Sequence, residues 1–346
     1  MPQTALIHDP RYLDHIPDIP HVETPARLQA IDAMLKEKEM VGKFSFPPPR
    51  RALYEELVWV HYPDHIKTIA ATAGKMLVSL DPDTQATERS YETALLAAGA
   101  LPVLIDGLLE KKWDHGFALV RPPGHHAESD RAMGFCLFNN VAVGAAYALK
   151  ASGLDRIVIV DWDLHHGNGT QEIFWNSDKV LYFSTHQYPY YPGSGSFREV
   201  GGGDGKGFTV NVPLSMGHGD RDYAQIFERV LAPIVRQFHP DMILVSAGFD
   251  IYFRDPLGGM NVTPKGFAAM TRILLGLAGE VCQGRLLFVL EGGYHLEGLR
   301  ESVRVVLKEL SGESILPSGE LAEDPEASPI PAVEHAITFH KNYWSF

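Results

Sequence analysis

Residues 157–169 read IVIVDWDLHHGNG, an apolar, β-branched run that ends abruptly in carboxylates and imidazoles. Such a run is typical of a strand buried in a parallel sheet, and the Gly-Asn-Gly after it predicts a loop. Because side chains alternate along an extended chain, Asp161, Asp163 and His165 are expected to project to one face. Buried carboxylates that lie close together repel each other, so this stretch requires a cationic partner.

A divalent metal ion would supply that partner, since it binds anionic oxygen and neutral imidazole. A solvated His/Asp-rich loop is the alternative, but here an apolar strand leads directly into the cluster. Asp250 follows a second apolar run, 242–247, and its alternative role is a turn cap. With Asp163 and His165 it makes three ligands, which leaves coordination open for water and substrate. The set suits Zn(II), although Fe(II) or Co(II) would also fit.

The rest of the chain alternates strand and helix patterns, which predicts an α/β fold with a parallel β-sheet flanked by helices on both faces. We expect a single domain over residues 1–346, with a peripheral tail from 311 to 346. Residues 81–88 are expected to form a loop. The predicted strands are 4–7, 117–120, 157–160, 180–184, 208–212, 242–247 and 286–290. The predicted helices are 25–40, 64–78, 90–109, one ending at 149, 223–238, 267–281 and 298–310.

The composition of the chain limits the classes of function that it can have. The 346-residue chain is 45% hydrophobic, and its net charge of −13 argues against a grip on nucleic-acid phosphates while tolerating a cationic substrate. Cys136 and Cys282 lie in apolar runs and cannot form a disulfide framework, which fits a reducing compartment. Residues 1–15 lack a signal-peptide pattern, and no apolar run is expected to span a membrane. We therefore expect a cytoplasmic protein that binds neither nucleic acid nor membrane.

Two adjacent histidines, His125 and His126, follow the strand at 117–120 and a rigid Pro-Pro-Gly turn. Near a metal they could act as general base and general acid, because the ordinary imidazole pKa lies near neutrality. Each requires an orienting partner, for which Asp161 and Asn168 are the candidates. An asparagine carries no charge and would leave its histidine less basic than an aspartate would. A second pair of metal ligands is the alternative role.

Tyr294 follows the last predicted strand and two glycines, so its phenol can be presented to a developing oxyanion. Its alternative role is packing. The aromatic stretches 134–135 and 190–193 offer walls for a site, with core packing as the alternative. All these polar clusters begin where a predicted strand stops, and ligands of open parallel sheets bind beyond the carboxyl ends of the strands. We therefore expect the clusters to share one crevice.

Six ordered motifs resemble the zinc-dependent histone deacetylases, and the match is most similar to the class II branch and its bacterial deacetylase-like amidohydrolases. The resemblance runs from about residue 23 to about residue 310. The motifs are RPPGHHA (121–127), GFCLFNNVA (134–142), DWDLHHGNGT (161–170), SAGFD (246–250), DPLGG (255–259) and EGGY (291–294). The resemblance implies the arginase/deacetylase fold. It also implies a metal-dependent amidohydrolase that releases acetate from an acyl-lysine side chain or a similar amine. An acetylpolyamine or small-molecule amidohydrolase of the same family is the alternative.

The resemblance also implies roles for individual residues. Asp163, His165 and Asp250 hold zinc, His126 is the general base and acid beside His125, and Tyr294 polarises the acetyl carbonyl. Gly134, Phe135, Tyr191 and Leu257 belong to the acyl-lysine tunnel. Potassium binding is implied for one group made of Asp161, Asp163, His165, Ser184 and Thr185, and for a second made of Phe174, Ser177, Val180 and Phe208.

The chain departs from its relatives at a few positions. Tyr191 replaces the phenylalanine common on the second tunnel wall, which adds a hydroxyl. Asn168 is typical of class II relatives, whereas class I relatives carry Asp. Tyr294 is retained where weakly active class IIa relatives have His. Leu257 stands where a polyamine-specific relative has Glu, which favours acyl-lysine as the substrate.

Two further hypotheses compete with amide hydrolysis. A ureohydrolase of the same fold requires a second metal and a second Asp two residues after the strand-end one, and here that position is Tyr252. An inactive acyl-lysine reader would keep the pocket for binding only. The intact set of candidate ligands, histidines and Tyr294 favours catalysis over both.

Overall fold

The apolar runs of the sequence form strands, most of them in one sheet. The computed structural model describes residues 2–16, 20–317, 320 and 328–346. Eight strands make a sheet in which every pairing is parallel, and two more make an antiparallel hairpin. In chain order the strands are β1 (Thr4–Ile7), β2 (Phe44–Ser45), β3 (Val78–Asp81), β4 (Thr84–Ala86), β5 (His115–Ala118), β6 (Ile157–Asp161), β7 (Val180–Gln187), β8 (Thr209–Leu214), β9 (Met242–Ala247) and β10 (Leu286–Leu290).

The strand order of the sheet is β2-β1-β5-β10-β9-β6-β7-β8. The central strands β5, β10, β9 and β6 are therefore neighbours although they are far apart in the chain. Every residue of these four strands is buried, as expected for a sheet covered on both faces. Because the strands are parallel, their carboxyl ends meet at one edge, which is where a ligand site is expected.

The helices alternate with the strands, and the predicted α/β class is confirmed. Local signals set several of their ends: the Asn139 side chain accepts from Ala142 N to begin α6, and Thr263 caps α10 before Pro264. They are α1 (Ala26–Leu35), α2 (Tyr54–Leu57), α3 (Pro63–Ala70), α4 (Ser90–Ala98), α5 (Ala100–Leu109), α6 (Asn140–Lys150), α7 (Asn168–Phe174), α8 (Asp220–Ile226), α9 (Ala232–Phe238), α10 (Pro264–Val281), α11 (Leu296–Leu310) and α12 (Pro331–His340).

Two groups of helices flank the sheet. Helices α4, α5 and α6 pack on one another, and α5 and α6 cover the strands from β1 to β6. Helices α1, α8, α10 and α11 form the second group, in which α10 contacts β10. Between the sheet and α10 lies a buried aromatic cluster, whose rings pack at centroid distances of 5.0 to 6.4 Å. Its members are Phe117, Trp162, Phe249, Phe267 and Phe288.

Three local predictions were wrong in detail. The segment expected to be a loop at 81–88 contains β4 and pairs with β3. The helix expected at 64–78 ends at Ala70, because residues 71–74 turn towards that hairpin. The long helix at 90–109 is divided at Gly99 and not at Pro102. The Arg50 carbonyl passes so close to Gly99 that a Cβ there would lie 2.1 Å from it.

The stretch Ser90–Leu109, which comprises α4 and α5, is long and apolar enough to cross a membrane. The expectation that no apolar run reaches that length was therefore wrong. In the structure 78% of its most apolar window is buried against the rest of the fold. This burial is typical of the core helix of a globular fold, where apolar residues face neighbouring elements.

The C-terminal residues lie at the edge of the sheet. Helix α12 packs against β8, with Val333 and Ala336 buried in the contact. The Trp344 indole donates to the Gly207 carbonyl at 2.8 Å, just before β8 begins. Residues 318, 319 and 321–327, in the segment expected to be a tail, lie outside the described residues.

Candidate active site

The predicted polar clusters converge at the carboxyl edge of the sheet. His125 and His126 follow β5, Asp163 and His165 follow β6, Asp250 follows β9, and Tyr294 follows β10. These strands are the four adjacent central ones, so His125, His126, His165 and Tyr294 line one cavity although they are up to 169 positions apart. Asp163 and Asp250 are buried and contact His165. The sequence argument for a shared crevice is confirmed in geometry.

Asp163, His165 and Asp250 form a buried triad of potential metal ligands. The His165 Nδ1 atom lies 3.2 Å from Asp163 Oδ1 and 3.1 Å from Asp250 Oδ2. One ligand atom from each residue lies within 4.8 Å of the other two. Among the described residues, no other group of His, Cys, Asp and Glu meets this criterion. His125 and His126 are outside the triad, so their alternative role as further ligands finds no support there.

The donor set fits a divalent cation. Burial, and then the charge of Asp163, raise the pKa of Asp250 to about 7. The pKa of Asp163 is lowered, since His125 and His165 together outweigh the opposing effect of burial. Two buried carboxylates and an imidazole are the kind of ligands that a catalytic zinc or similar ion uses.

The backbone closes tightly behind this triad at Gly292. Its N–H donates to Asp163 Oδ2 at 2.8 Å. A Cβ added to Gly292 would lie 2.5 Å from Asp250 Oδ2 and 2.6 Å from Asp163 Oδ2. The glycine of the EGGY motif therefore lets the main chain approach the carboxylates closely, which a residue with a side chain would prevent.

Each of the tandem histidines has one of the orienting partners expected from the sequence. His125 Nδ1 lies 3.0 Å from Asp161 Oδ2, and His126 Nδ1 lies 2.8 Å from Asn168 Oδ1. The two rings are 4.0 Å apart between centroids. Both imidazoles are therefore held through Nδ1, and both line the cavity.

The partners set opposite pKa shifts in the two histidines. For His125, burial disfavours the charged ring, but Asp161 and Asp163 outweigh it and raise the pKa to about 10. For His126, burial and then the neighbouring His125 and His165 hold the pKa well below its ordinary value. His126 is therefore the neutral imidazole of the pair, which is the form that accepts a proton.

Glu291 supports the histidine loop and was missed by the sequence analysis. Its Oε2 accepts from Gly124 N at 2.7 Å and from His125 N at 3.2 Å, and its Oε1 accepts from Ser246 Oγ at 3.0 Å. Burial raises its pKa to about 7, although His125 acts in the opposite direction. A glutamate in an otherwise apolar strand end was the available signal.

Tyr294 lines the cavity and is held from two sides. The Asp255 Oδ2 atom accepts from Tyr294 N at 2.7 Å and from His295 N at 3.0 Å. The Arg27 guanidinium lies 5.1 Å from the Tyr294 ring centroid. Burial, and then the charge of Asp250, raise the pKa of the Tyr294 phenol well above its ordinary value, so the hydroxyl keeps its proton and can donate it in a hydrogen bond.

A fully buried ion cluster fastens the two loops that carry His125 and Tyr294. Glu23 Oε1 accepts from Arg27 Nη1 at 2.9 Å and from Arg121 Nε at 2.5 Å. Arg27 Nε also donates to the Gly293 carbonyl at 2.7 Å, and Arg121 Nη1 to the Tyr12 carbonyl at 3.1 Å. Periodicity places Arg27 on a helix but says nothing about its partners, so the sequence analysis missed this cluster.

The cavity is a channel of about 210 Å³ that is lined largely by aromatic rings. Gly134, Phe135, Tyr191 and Leu257, the predicted tunnel residues, all line it. The Tyr191 ring packs edge-on against His126 and His165, at centroid distances of 5.2 and 6.1 Å. Tyr190, Asp83 and Pro123 complete the walls.

The hairpin of β3 and β4 holds the Phe135 wall and was missed because its sequence is polar. Asp83 Oδ1 accepts from Gly134 N at 3.2 Å, and Thr84 Oγ1 accepts from Phe135 N at 3.0 Å. Phe135 has a φ of +70°, a conformation that bulky residues rarely adopt. These hydrogen bonds stabilise that conformation and turn the ring into the channel.

The first group of potassium candidates lies beside the triad. Asp161 and Ser184 are register partners on β6 and β7, and Asp163 and His165 follow directly. The Thr185 hydroxyl is buried and has no hydrogen-bond partner among the described residues.

The second group surrounds the connection from α7 to β7. The Phe174 carbonyl accepts from Ser177 N at 3.0 Å, and the Phe208 carbonyl accepts from Tyr182 N at 2.9 Å. Val180 begins β7 between these two contacts. The four residues are therefore close in the fold, and their main-chain carbonyl oxygens are the atoms that could coordinate a cation.

Comparison with known proteins assigns the chain to a class. The histone deacetylase domain matches residues 21–310, so the chain belongs to the histone deacetylase family. It is 42% identical to histone deacetylase 15 of Arabidopsis thaliana over 99% of this chain, and 41% identical to the human polyamine deacetylase HDAC10 over 93%. The chain spans 62% and 49% of the length of these two relatives.

The same class is evident in three dimensions. The crystal structure of the HDA15 HD domain aligns with a TM-score of 0.90 at 41% identity, and the alignment covers 99% of this chain and 95% of that one. The predicted family and fold, that of arginases and deacetylases, are thereby confirmed. A family whose chemistry depends on a metal agrees with the buried Asp/His/Asp triad.

Proposed function

We propose that the chain is a metal-dependent deacetylase, which hydrolyses the acyl amide of an acylated amine to a carboxylate and a free amine. The observation that carries the proposal is the convergence of a ligand triad, a neutral imidazole and a protonated phenol on one apolar channel. When bound, a divalent ion supplies Lewis-acid chemistry by polarising the acyl carbonyl and making water more acidic.

The side chains divide the remaining work. His126 removes a proton from the attacking water as the new C–O bond forms, and it returns a proton to the amine nitrogen as the C–N bond breaks. The Tyr294 hydroxyl donates a hydrogen bond to the charge that develops on the carbonyl oxygen. Phe135 and Tyr191 enclose the alkyl chain of the amine and exclude water from it.

For the metal, we propose Zn(II) at Asp163, His165 and Asp250, with Fe(II) or Co(II) as alternatives, and structural potassium at the two groups described above. The N/O donor set supports Zn(II). The buried Thr185 hydroxyl, which has no hydrogen-bond partner among the described residues, supports potassium. Elemental analysis of the purified protein, together with unfolding measured in KCl and in NaCl, tests both. Equal stability in the two salts would contradict the potassium sites.

An acyl-lysine side chain of a peptide or protein is the substrate that we favour. Apolar Leu257 stands at the channel wall, and its carbonyl accepts from the Tyr190 hydroxyl at 2.9 Å. Asp83 also lines the channel, but its Oδ1 already accepts from Gly134 N and Thr84 Oγ1. The likeness to a polyamine deacetylase supports acetylated polyamine as the second candidate.

Acetate release from an acetyl-lysine peptide and from an N-acetyl-polyamine, each with and without chelator, tests the proposal. We expect chelator-sensitive release that zinc restores, and faster release from the peptide. Tight peptide binding with no acetate from either substrate would instead indicate an acyl-lysine reader. Release that survives complete metal removal would overturn the mechanism.

We further propose that the protein acts in the cytoplasm, without binding nucleic acid or membrane. Two free, buried cysteines and a net charge of −13 support this setting. Cell fractionation and binding to DNA and to anionic vesicles at physiological salt test it, and saturable binding to either would contradict it.

A further inference from the structure

Asn168 bridges His126 to a carboxylate outside the channel. Its Oδ1 lies 2.8 Å from His126 Nδ1, and its Nδ2 lies 2.7 Å from Glu128 Oε1. The same Nδ2 has two weaker contacts, at 3.3 Å with the Met133 sulfur and at 3.5 Å with the His126 carbonyl oxygen, so Glu128 is its shortest and only charged acceptor among the described residues. Glu128 is not among the residues that line the channel. The three side chains therefore form a chain of hydrogen bonds that leads from the channel towards the surface.

The carboxylate decides which way the amide faces. An ionised glutamate can only accept hydrogen bonds, so the end of Asn168 beside it must be the NH₂ group. The amide oxygen then faces His126, and Nδ1 of His126 must carry the proton that the oxygen accepts. The His126 Nε2 atom is left with its lone pair, and it has no hydrogen-bond partner among the described residues.

Glu128 is itself held in place. Its Oε2 accepts from Arg131 Nη2 at 2.8 Å, and its N–H donates to the Arg131 carbonyl at 2.9 Å. Its carbonyl oxygen lies 2.9 Å from Nδ1 of the buried His61. The turn from 128 to 131 therefore presents Oε1 to Asn168 in a defined position.

We propose that Glu128 is a positioning residue that selects the Nδ1–H tautomer of His126 by fixing the orientation of the Asn168 amide. The proposal rests on the proposed function, in which His126 Nε2 is the proton acceptor. An amide without Glu128 can rotate so that NH₂ faces Nδ1, which places the proton on Nε2 and removes the base.

The neighbouring histidine shows why a third residue is required here and not there. His125 is oriented by Asp161, a carboxylate whose two oxygens both accept. A carboxylate presents an accepting oxygen to the histidine whichever way it is turned. An amide that is turned around presents its NH₂ group instead. Glu128 is therefore needed because the partner of His126 is Asn168, and a carboxylate at position 168 would make Glu128 unnecessary.

Three variants of the full, metal-loaded protein test this proposal. In Glu128→Ala we expect kcat to fall about 10- to 100-fold, with KM and metal content unchanged. Glu128→Gln keeps an acceptor oxygen for Asn168, so we expect kcat within about threefold of the wild type. Adding Asn168→Asp to Glu128→Ala gives His126 Nδ1 a carboxylate partner, which accepts in either orientation, so kcat should recover.

Glu172→Ala is the matched control. Its carboxylate accepts from Ser129 N and Ser129 Oγ, both at 3.0 Å, and it has no hydrogen bond to Asn168. Because Ser129 lies in the turn that presents Glu128, we expect a smaller fall in kcat than in Glu128→Ala, with the Nδ1–H tautomer of His126 retained. Unchanged kcat in Glu128→Ala, a Glu128→Gln variant as slow as Glu128→Ala, or a double variant that does not recover would each overturn the proposal.

A direct readout separates this inference from the proposed function. In protein labelled with ¹⁵N-histidine, the His126 signals are assigned by comparison with His126→Gln. We expect a protonated Nδ1 in the wild type and a shift towards protonated Nε2 in Glu128→Ala. A wild type that releases no acetate would refute the deacetylase, whereas an Nε2–H tautomer in the wild type would refute the role of Glu128.

Discussion

Two identical side chains can be chemically different when their neighbours differ. His125 and His126 are adjacent in sequence and lie 4.0 Å apart, yet their pKa values shift in opposite directions. The difference arises because His125 faces Asp161 and Asp163, while His126 faces a neutral amide and two other imidazoles. A division of labour between the two rings follows from these partners.

Removal of the Tyr294 hydroxyl should lower the rate of the chemical step without disturbing the metal site. In Tyr294→Phe we expect kcat to fall about 10²- to 10³-fold, because a donor to the developing oxyanion is lost. Metal content, measured by elemental analysis, should not change. Tyr252→Phe is the control, since that ring packs on Phe253 and His295 and does not line the channel. Undiminished turnover in Tyr294→Phe would exclude the assigned role.

The Tyr191 hydroxyl is buried and has no hydrogen-bond partner among the described residues. A buried, unpaired hydroxyl is destabilising, so Tyr191→Phe should raise the free energy of unfolding by about 1 kcal/mol. Urea denaturation measures this change. Tyr190→Phe, which removes a hydrogen bond to the Leu257 carbonyl, should not stabilise. A less stable Tyr191→Phe would show that the hydroxyl has a partner in solution.

At the scale of elements, short segments between the strands hold the site together. The β3–β4 hairpin fixes the Phe135 wall, and the Arg27 side chain from α1 holds the carbonyl of Gly293. Neither segment contributes a residue that was predicted to react. Their role is to hold the reacting groups in position, which is what preorganised catalysis requires.

Helix α12 contains a buried histidine that should make stability depend on pH. Both His340 ring nitrogens lack hydrogen-bond partners in the described part of the chain, and burial lowers its pKa to about 4. The unfolded chain takes up this proton near pH 6.5, but the folded chain does not until about pH 4. The free energy of unfolding therefore falls by about 1.4 kcal/mol per pH unit below pH 6.5 for this histidine.

The His340→Leu variant isolates the contribution of His340 to the pH dependence of stability. Between pH 7.5 and pH 5.5, the stability of His340→Leu relative to wild type should increase by about 1 kcal/mol in urea titrations. His335→Leu, an exposed position on the same helix, should show no such change. An identical pH dependence in wild type and His340→Leu would contradict the argument.

At the scale of the whole molecule, the metal should couple distant strands. Asp163 and Asp250 follow β6 and β9, and their charges repel each other unless a cation lies between them. Metal removal by chelator should therefore lower Tm, and zinc at 100 times its Kd should add about 2.7 kcal/mol of stability. Thermal unfolding with and without zinc measures this. Asp250→Asn should respond much less, and an equal response would place the ion elsewhere.

The sequence by itself determined the residue types, the strands that precede them and the family. The runs 157–161, 242–247 and 286–290 are apolar enough to be predicted as strands from local sequence, and the motifs after the first two contain the candidate ligands Asp163, His165 and Asp250. Hydrophobic periodicity is a local property, so it identifies elements without ordering them.

The tertiary structure alone decided which groups meet. The order β5-β10-β9-β6 brings Glu291 to the histidine loop, and chain reversal at 128–131 brings Glu128 to Asn168. The hairpin at Asp83 was unreadable because polar residues carry no periodic signal. These contacts depend on long-range packing of the sheet and its loops, and no local pattern encodes them.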